Sequence, residues 1–522
     1  MGKSKSKKQA AKQKAHRLGT LEQPVKQPIV KSEALTEAKA STEDHYIDPE
    51  DVEIAVDVLS TLMERPEALS DQRYKQLKRV GWDFGKTLAE QGSGVGSSIH
   101  SKISHLLSLS LYRQALVLLF DLYVNRTPTK LGSLQRWVRD CDATSRPGRV
   151  LTEEENEERN VVLRCLDMVL RVCGSDYQGD GVKLLEEDET RSDASQVIRR
   201  MKLWNVRDVV ESDRLQEDLP LWPLIQKGFE TEPEGKHSAF YPIQVTPGHL
   251  RRPPNVYPST VQASRNPSIP FPVCSRPAFS IPHPAIPSCN LLANILPPTT
   301  CQSIIEAANT LGWEQDQAAG GSAVDKTSVL AHNVVWLADE EFVGELYERI
   351  KPFVQEKFQG GKVRGINRRF RVYRYGPKQV YRPHIDGAWP AAGIDAKTGE
   401  YLHDSSPKDD PLWSRYTLLI YLNSDINPTT PAGATTFFLP SPNSIGTLLA
   451  CPIAPVQGAV LVFPHGDARG SLLHEGSPVG DGGWKVVIRT DLLYEAEGFG
   501  EFAPTKRKVV DDDGGPRKVA KV

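Results

Sequence analysis

Cysteine is scarce in this chain, and its arrangement argues against two classes of small domain. Seven cysteines occur among 522 residues, an odd number, and no two of them form a C-x-x-C pair. This pattern is not that of a disulfide framework, a zinc finger or a zinc ribbon. We therefore expect the protein to work in a reducing compartment.

Long hydrophobic runs are also lacking. The longest apolar stretch, 115–124, is interrupted by Asp121, and no apolar segment follows the basic N-terminus. The sequence therefore predicts no signal peptide and no transmembrane helix, and we expect the cytoplasm, the nucleus or both. Two basic clusters flank Asp511–Asp513 near the C-terminus, which fits either a bipartite nuclear signal or a solvated tail.

An excess of one charge is missing as well, since 64 Lys and Arg face 66 Asp and Glu, for a formal net charge of −2. A uniformly basic nucleic-acid binder is excluded, although the first residues form a basic tail. That tail begins MGKSKS, which fits N-myristoylation at Gly2 with Ser6. We expect membrane association only if Gly2 is acylated.

What the chain does contain divides it into five segments. Residues 1–46 are predicted to be a basic disordered tail, because they hold few large apolar side chains. Residues 47–230 show apolar residues at helical spacing and predict an α-helical domain that binds a partner. A proline-rich linker is predicted over 231–285, a mixed domain over 286–495, and a second disordered tail, both basic and acidic, over 496–522.

Helix and strand signals place an all-α region before a mostly β region. Thr152 and Glu155 fit a capping box that starts a helix, and further helices are predicted over 299–311 and 339–350. Short alternating segments then predict strands at 369–375, 416–422, 435–439, 459–463 and 484–492. The predicted fold class is α+β and multidomain, with a barrel or jelly roll in the C-terminal half.

The segment YRPHIDGAW carries a candidate metal site. His384 and Asp386 are two residues apart, which places both side chains on one face of a strand, and His474 follows far downstream. Two histidines and one carboxylate are the ligands of the facial triad that binds non-haem iron, and they also suit a catalytic zinc. A second pair of the same spacing, His465 and Asp467, is the weaker candidate, because a distant partner histidine accompanies only the first pair; we expect His465 in a loop or behind the ligands.

Polar residues on neighbouring predicted strands form a candidate anion site. Lys485 and Arg489 share one face of the strand WKVVIRTDLLY, and a cation held inside a sheet needs an anionic partner. Thr417 and Tyr421 share a face of RYTLLIYLN, where their hydroxyls suit either a bound carboxylate or the protein core.

Five blocks in order, HIDG, LIYLN, GATTFF, GAVLVFP and LLHEGSPVGDGGWK, resemble the catalytic domain of the prolyl 4-hydroxylase-like dioxygenases that depend on Fe(II) and 2-oxoglutarate. The resemblance covers residues 286–495 and implies a double-stranded β-helix, a jelly roll with supporting helices. It implies Fe(II), 2-oxoglutarate and O2 as reactants, with ascorbate as a reductant. The implied site residues are the iron ligands His384, Asp386 and His474, the cosubstrate anchor Lys485 with Arg489 as the alternative, and the cosubstrate contacts Tyr375, Thr417 and Tyr421.

The resemblance also implies a reaction, the hydroxylation of a substrate with release of succinate and CO2. We expect a protein substrate, prolyl by analogy, recruited by residues 47–230 and held near the iron by Asn367, Arg382 and Trp389. Nucleic-acid demethylation is one alternative, although the arginine pair typical of such relatives is replaced by Lys485 and Arg489. A non-catalytic scaffold on a relic domain is another. The sequence does not predict the oligomeric state.

Overall fold

The protein is described by a computed structural model. It covers residues 49–64, 74, 76–81, 98–144, 151–174, 180–189, 197–251, 255–315, 332–424, 433–467, 470–481 and 483–496. The chain forms two compact units, Met1–Tyr74 and Lys75–Val522. The predictions for Gly2, for residues 1–46 and for nearly all of 496–522 lie outside the described residues. Within the described ranges, none of the helices has the length and apolar character needed to cross a bilayer.

Eight α-helices are described by their bounds. They are α1 (Pro49–Glu64) in the first unit and, in the second, α2 (Ile99–Ser108), α3 (Tyr112–Val124), α4 (Leu131–Asp140), α5 (Glu153–Val172), α6 (Trp222–Glu230), α7 (Pro298–Leu311) and α8 (Glu340–Ile350). The capping box of α5 is confirmed, because the Thr152 hydroxyl accepts from the Glu155 amide and the Glu155 carboxylate accepts from the Thr152 amide. The helix predicted from residue 299 begins one residue earlier, as α7, with Pro298 in its first turn and no side-chain cap at its start.

Within the part of the chain that the structure describes, eighteen strands form two main sheets and a separate pair. The strands are β1 (Ile198–Arg200), β2 (Phe240–Thr246), β3 (Ser259–Ser264), β4 (Phe279–Pro282), β5 (Asn290–Ala293), β6 (His332–Leu337), β7 (Lys357–Phe358), β8 (Gly361–Ile366), β9 (Arg369–Tyr375), β10 (Tyr381–Ile385), β11 (Gly393–Ile394), β12 (Tyr401–Leu402), β13 (Leu412–Tyr421), β14 (Thr435–Pro440), β15 (Leu448–Ile453), β16 (Val460–Pro464), β17 (Leu473–Gly476) and β18 (Lys485–Glu495). The small sheet has the order β1-β15-β14-β17-β10. The large sheet runs β2-β3-β6-β9-β18-β13-β16-β5-β4, with β8 also beside β18 and β7 beside β8. The α+β class is confirmed.

Three apolar cores stack these elements into layers. Phe437 of the small sheet and Phe463 of the large sheet lie in one core, so the two sheets face each other. The other face of the large sheet packs on α6, α7 and α8, and the other face of the small sheet packs on α2 to α5. The alternation of strand side chains produces this arrangement, since Phe438 next to Phe437 points into the helical core.

Two segments contribute strands where the sequence predicted none. Within the helical range 47–230, β1 pairs in parallel with β15 and adds an edge to the small sheet. Within the proline-rich range 231–285, β2, β3 and β4 extend the large sheet. Pro242 is tolerated because β2 is an edge strand whose register shifts beside that residue.

Candidate functional site

Two antiparallel strands of the small sheet bring the candidate histidines together. Strands β10 and β17 pair so that His384 lies directly opposite His474, with ring centroids 4.3 Å apart. Asp386 follows immediately after the end of β10. The register of β10 is irregular between Tyr381 and His384, which re-aims the side chains that follow.

The three side chains present ligand atoms to a common point. His384 Nε2 lies 3.5 Å from Asp386 Oδ1, and His474 Nε2 lies 3.8 Å from Asp386 Oδ2. One ligand atom from each residue falls within 4.8 Å of the others, and among the described residues this is the one group of His, Cys, Asp or Glu with that property. Metal–ligand bonds of about 2.0–2.2 Å place neighbouring ligands about 3 Å apart, so small side-chain adjustments would seat an ion.

Backbone carbonyls fix both imidazoles in the orientation a metal requires. His384 Nδ1 lies 2.7 Å from the Arg382 carbonyl oxygen, and His474 Nδ1 lies 3.1 Å from that of Leu472. A carbonyl only accepts, so each Nδ1 carries a proton and Nε2 is the nitrogen of each ring that is available to a metal. Burial, reinforced by the neighbouring His384, lowers the pKa of His474 to about 3, which keeps this ring neutral at physiological pH.

Asp386 is ionised although it is buried. Burial raises the pKa of this carboxyl, but Arg489 and the two histidines outweigh burial and hold the pKa well below its usual range. Arg489 approaches Asp386 Oδ1 at 3.5 Å and Asp491 Oδ1 at 3.1 Å. The Thr417 hydroxyl donates to Asp386 Oδ2 at 2.7 Å. Two imidazole nitrogens and a charged aspartate form a donor set that fits a divalent transition metal.

A buried lysine, Lys485, lies on the same face of strand β18 as Arg489. Lys485 is 5% exposed, and its Nζ lies 5.8 Å from the ring centroid of Tyr375 and 5.6 Å from that of Tyr421. The Tyr421 hydroxyl is 2.8 Å from that of Thr435. An ammonium surrounded by phenol rings and hydroxyls is suited to a carboxylate, because charge-assisted hydrogen bonds can form there in a low dielectric.

The two candidate cations of β18 occupy different surroundings. Arg489 is engaged by the carboxylates of Asp386 and Asp491, whereas Lys485 contacts aromatic rings. The two are four residues apart on one face, roughly 13 Å along the strand. Arg489 therefore pairs with two protein carboxylates, one of which belongs to the candidate metal site.

The expected substrate and cosubstrate contacts fall in varied places. The Asn367 side chain holds the backbone of the segment after Asp386, since its Nδ2 donates to Pro390 O at 2.9 Å and its Oδ1 accepts from the Ala392 amide. Arg382 is buried and faces α4, where burial and the charge of Arg382 lower the pKa of Arg139. Trp389 is half-buried beneath the guanidinium of Arg369, 4.7 Å from its ring centroid. Tyr375 and Tyr421 lie beside Lys485, whereas Thr417 hydrogen-bonds Asp386 rather than lying beside Lys485.

Sequence reasoning missed Thr435 and Asp491, which take part in these contacts. Asp491 lies on the same face of β18 as Lys485 and Arg489, so the strand pattern could have predicted that it is near them. Thr435 belongs to the small sheet, and nothing local in the sequence indicates that it meets Tyr421 of the large sheet.

No protein-family model matches the chain, and no curated protein matches it. The function is therefore argued from the site.

Proposed function

We propose that the protein is an Fe(II)- and 2-oxoglutarate-dependent dioxygenase that hydroxylates a protein substrate. The observation that carries the proposal is the convergence of His384 Nε2, His474 Nε2 and the Asp386 carboxylate, with a buried lysine on the facing sheet. Bound iron would supply oxidative chemistry, in which 2-oxoglutarate is decarboxylated to succinate while a C–H bond of the substrate is hydroxylated.

The chain's own residues orient the reactants. His384, Asp386 and His474 would hold the metal from one side and leave the opposite side open. Lys485 would pair with the distal carboxylate of 2-oxoglutarate, assisted by the hydroxyls of Tyr421 and Thr435. The aromatic and aliphatic walls, including Phe437 and Phe463, keep bulk water from the metal.

Zinc is the competing metal, because two histidines and one aspartate also form catalytic zinc sites. A zinc hydrolase has no need of a buried ammonium on the sheet that faces the ligands. Lys485 therefore supports iron with a dicarboxylate cosubstrate over zinc with a water.

We also interpret the two facing sheets as a double-stranded β-helix, with α6, α7 and α8 as supporting helices and α2 to α5 as an added layer. The ligands on adjacent strands of the small sheet and the lysine on the facing sheet support this interpretation. A polypeptide substrate, prolyl by analogy with the family that the sequence resembles, and a cytoplasmic or nuclear location complete the proposal.

The test is succinate formation by the full-length protein, loaded anaerobically with Fe(II), 2-oxoglutarate and ascorbate and then exposed to air. We expect slow uncoupled turnover that is lost in His384→Ala and Lys485→Ala. Lys378→Ala is the matched control, because Lys378 is an exposed lysine paired with Asp481. Calorimetric titration of 2-oxoglutarate into the Co(II)-loaded protein gives a readout that does not need turnover. Failure to bind either the metal or 2-oxoglutarate would leave a scaffold as the better description.

A further inference from the structure

A buried line of hydrogen bonds ends on Asp386. The Trp389 amide donates to Ser414 Oγ at 2.8 Å, and Ser414 Oγ lies 2.7 Å from His465 Nε2. His465 Nδ1 lies 2.6 Å from Thr417 Oγ1, which donates to Asp386 Oδ2 at 2.7 Å. Ser414, Thr417 and His465 are each at most 2% exposed.

The two ends fix the direction of every bond between them. An amide can only donate, so Ser414 accepts from Trp389 and is free to give its own proton to His465 Nε2. Thr417 donates its one hydroxyl proton to Asp386 Oδ2, so it must accept from His465 Nδ1. This line of hydrogen bonds therefore selects one neutral tautomer of His465, with the proton on Nδ1.

We propose that Thr417, His465 and Ser414 are positioning residues that hold Asp386 for metal binding by anchoring its Oδ2 with a hydrogen bond of fixed direction. The inference rests on the proposed metal site and goes beyond it, since none of the three residues is a ligand. Hydrogen bonds of this kind hold the carboxylate in one orientation. The side chain therefore loses less conformational entropy when the metal binds.

The same line of hydrogen bonds connects Asp386 with the backbone segment that follows it. Ser414 accepts from the Trp389 amide and its own amide donates to the Trp389 carbonyl, so β13 holds the backbone three residues beyond Asp386. Strand β13 thereby sets both the orientation of the Asp386 carboxylate and the path of the backbone after it.

The test measures Co(II) affinity and the ligand-field spectrum of the full-length protein by titration. Thr417→Val keeps the shape but removes the hydroxyl, and we expect about 10- to 100-fold weaker binding with an altered spectrum. Thr417→Ser keeps the hydroxyl and should bind nearly as the wild type does. His465→Leu should weaken binding, and His465→Asn should restore part of it, because an Asn amide can donate from the position of Nδ1.

Thr490→Val is the matched control, because Thr490 is another buried threonine of the same sheet whose hydroxyl donates to Asn367 O instead. It should leave Co(II) binding unchanged. Thermal unfolding of each metal-free variant separates a loss of fold from a loss of positioning. If the wild type binds Co(II) and both Thr417→Val and His465→Leu bind it equally well, the positioning role is refuted while the metal site stands. If the wild type binds no Co(II), the proposed metal site fails first.

Discussion

Two His-x-Asp pairs of identical spacing have different roles in this molecule. His384 and Asp386 lie at the end of β10 in the small sheet, where His474 of the neighbouring strand completes the cluster. His465 and Asp467 follow β16 of the large sheet. Both ring nitrogens of His465 lie within hydrogen-bond distance of hydroxyls, and the Asp467 carboxylate accepts from Gln359 Nε2 at 3.0 Å.

The difference teaches that spacing does not define a ligand pair. A histidine can bind a metal when a carbonyl accepts a hydrogen bond from one ring nitrogen and the other nitrogen points to converging ligands. His384 meets this condition, whereas His465 supports Asp386 through Thr417. In the site we propose, one pair would supply two ligands, and the histidine of the other would orient one of them.

The largest expected effect follows from removing a ligand of the first pair. Asp386→Ala removes the one carboxylate that links both histidines, so we expect no measurable Co(II) or Fe(II) binding in equilibrium dialysis. Asp467→Ala should bind the metal as the wild type does. Equal loss in the two variants would erase the distinction between the pairs.

A second prediction sharpens the comparison through the cosubstrate. Lys485→Ala removes the buried ammonium, and we expect roughly 10- to 100-fold weaker 2-oxoglutarate binding, the usual worth of charged hydrogen bonds. Calorimetry on the Co(II)-loaded protein measures the change, and Co(II) affinity itself should not move. An unchanged affinity for 2-oxoglutarate would assign the anchor to another cation, with Arg489→Gln as the next variant.

A third prediction concerns the pH dependence of stability. Burial lowers the pKa of His465 from 6.5 to about 3, so the folded state holds the ring neutral while the unfolded chain protonates it more readily. The stability from this residue is fully present above pH 6.5 and declines as the pH falls from there toward 3. Between pH 7.5 and 5.5, metal-free His465→Asn should lose less stability than the wild type, by on the order of 1 kcal/mol in urea unfolding. Parallel pH profiles would contradict the neutral ring.

The smallest effect is expected at the remaining member of the second pair. Asp467 is half-buried and its carboxylate accepts from the exposed Gln359, so Asp467→Asn should change the free energy of unfolding by less than about 0.5 kcal/mol. Urea unfolding at neutral pH measures this value. A loss several times larger would give Asp467 a structural role as important as that of His465.

The sequence allowed the prediction of elements whose pattern is local. The strand 369–375 was predicted with the bounds of β9, and the predicted strands at 435–439 and 459–463 lie within one residue of β14 and β16. Alternation predicted that His384 and Asp386 share one face, whereas the addition of His474 came from the composition of the facial triad and from the resemblance, not from a local pattern. Strand periodicity put Thr417 on the inner face, but it did not indicate that Asp386 rather than a cosubstrate would be its neighbour.

The strands that form only through long-range pairing could not be predicted from the sequence. Strand β1 has only three residues, too few for a period, and it exists because β15 offers a parallel partner. Prolines between 231 and 285 disfavour central strands, yet β2 and β4 lie at the edges of the sheet, where a missing amide donor is tolerated. Both outcomes depend on tertiary neighbours that no local pattern encodes.

The helical layer has a consequence for dissecting the protein. Ile385, between two ligands, and Leu473, beside the third, are buried in the same core as Leu134 of α4 and Leu166 of α5. A fragment restricted to 286–495 would expose both apolar side chains to water and lose the wall that supports the strands carrying the ligands. Inactivity of such a fragment would reflect the loss of the packing that supports these strands. Activity therefore has to be measured on the intact chain.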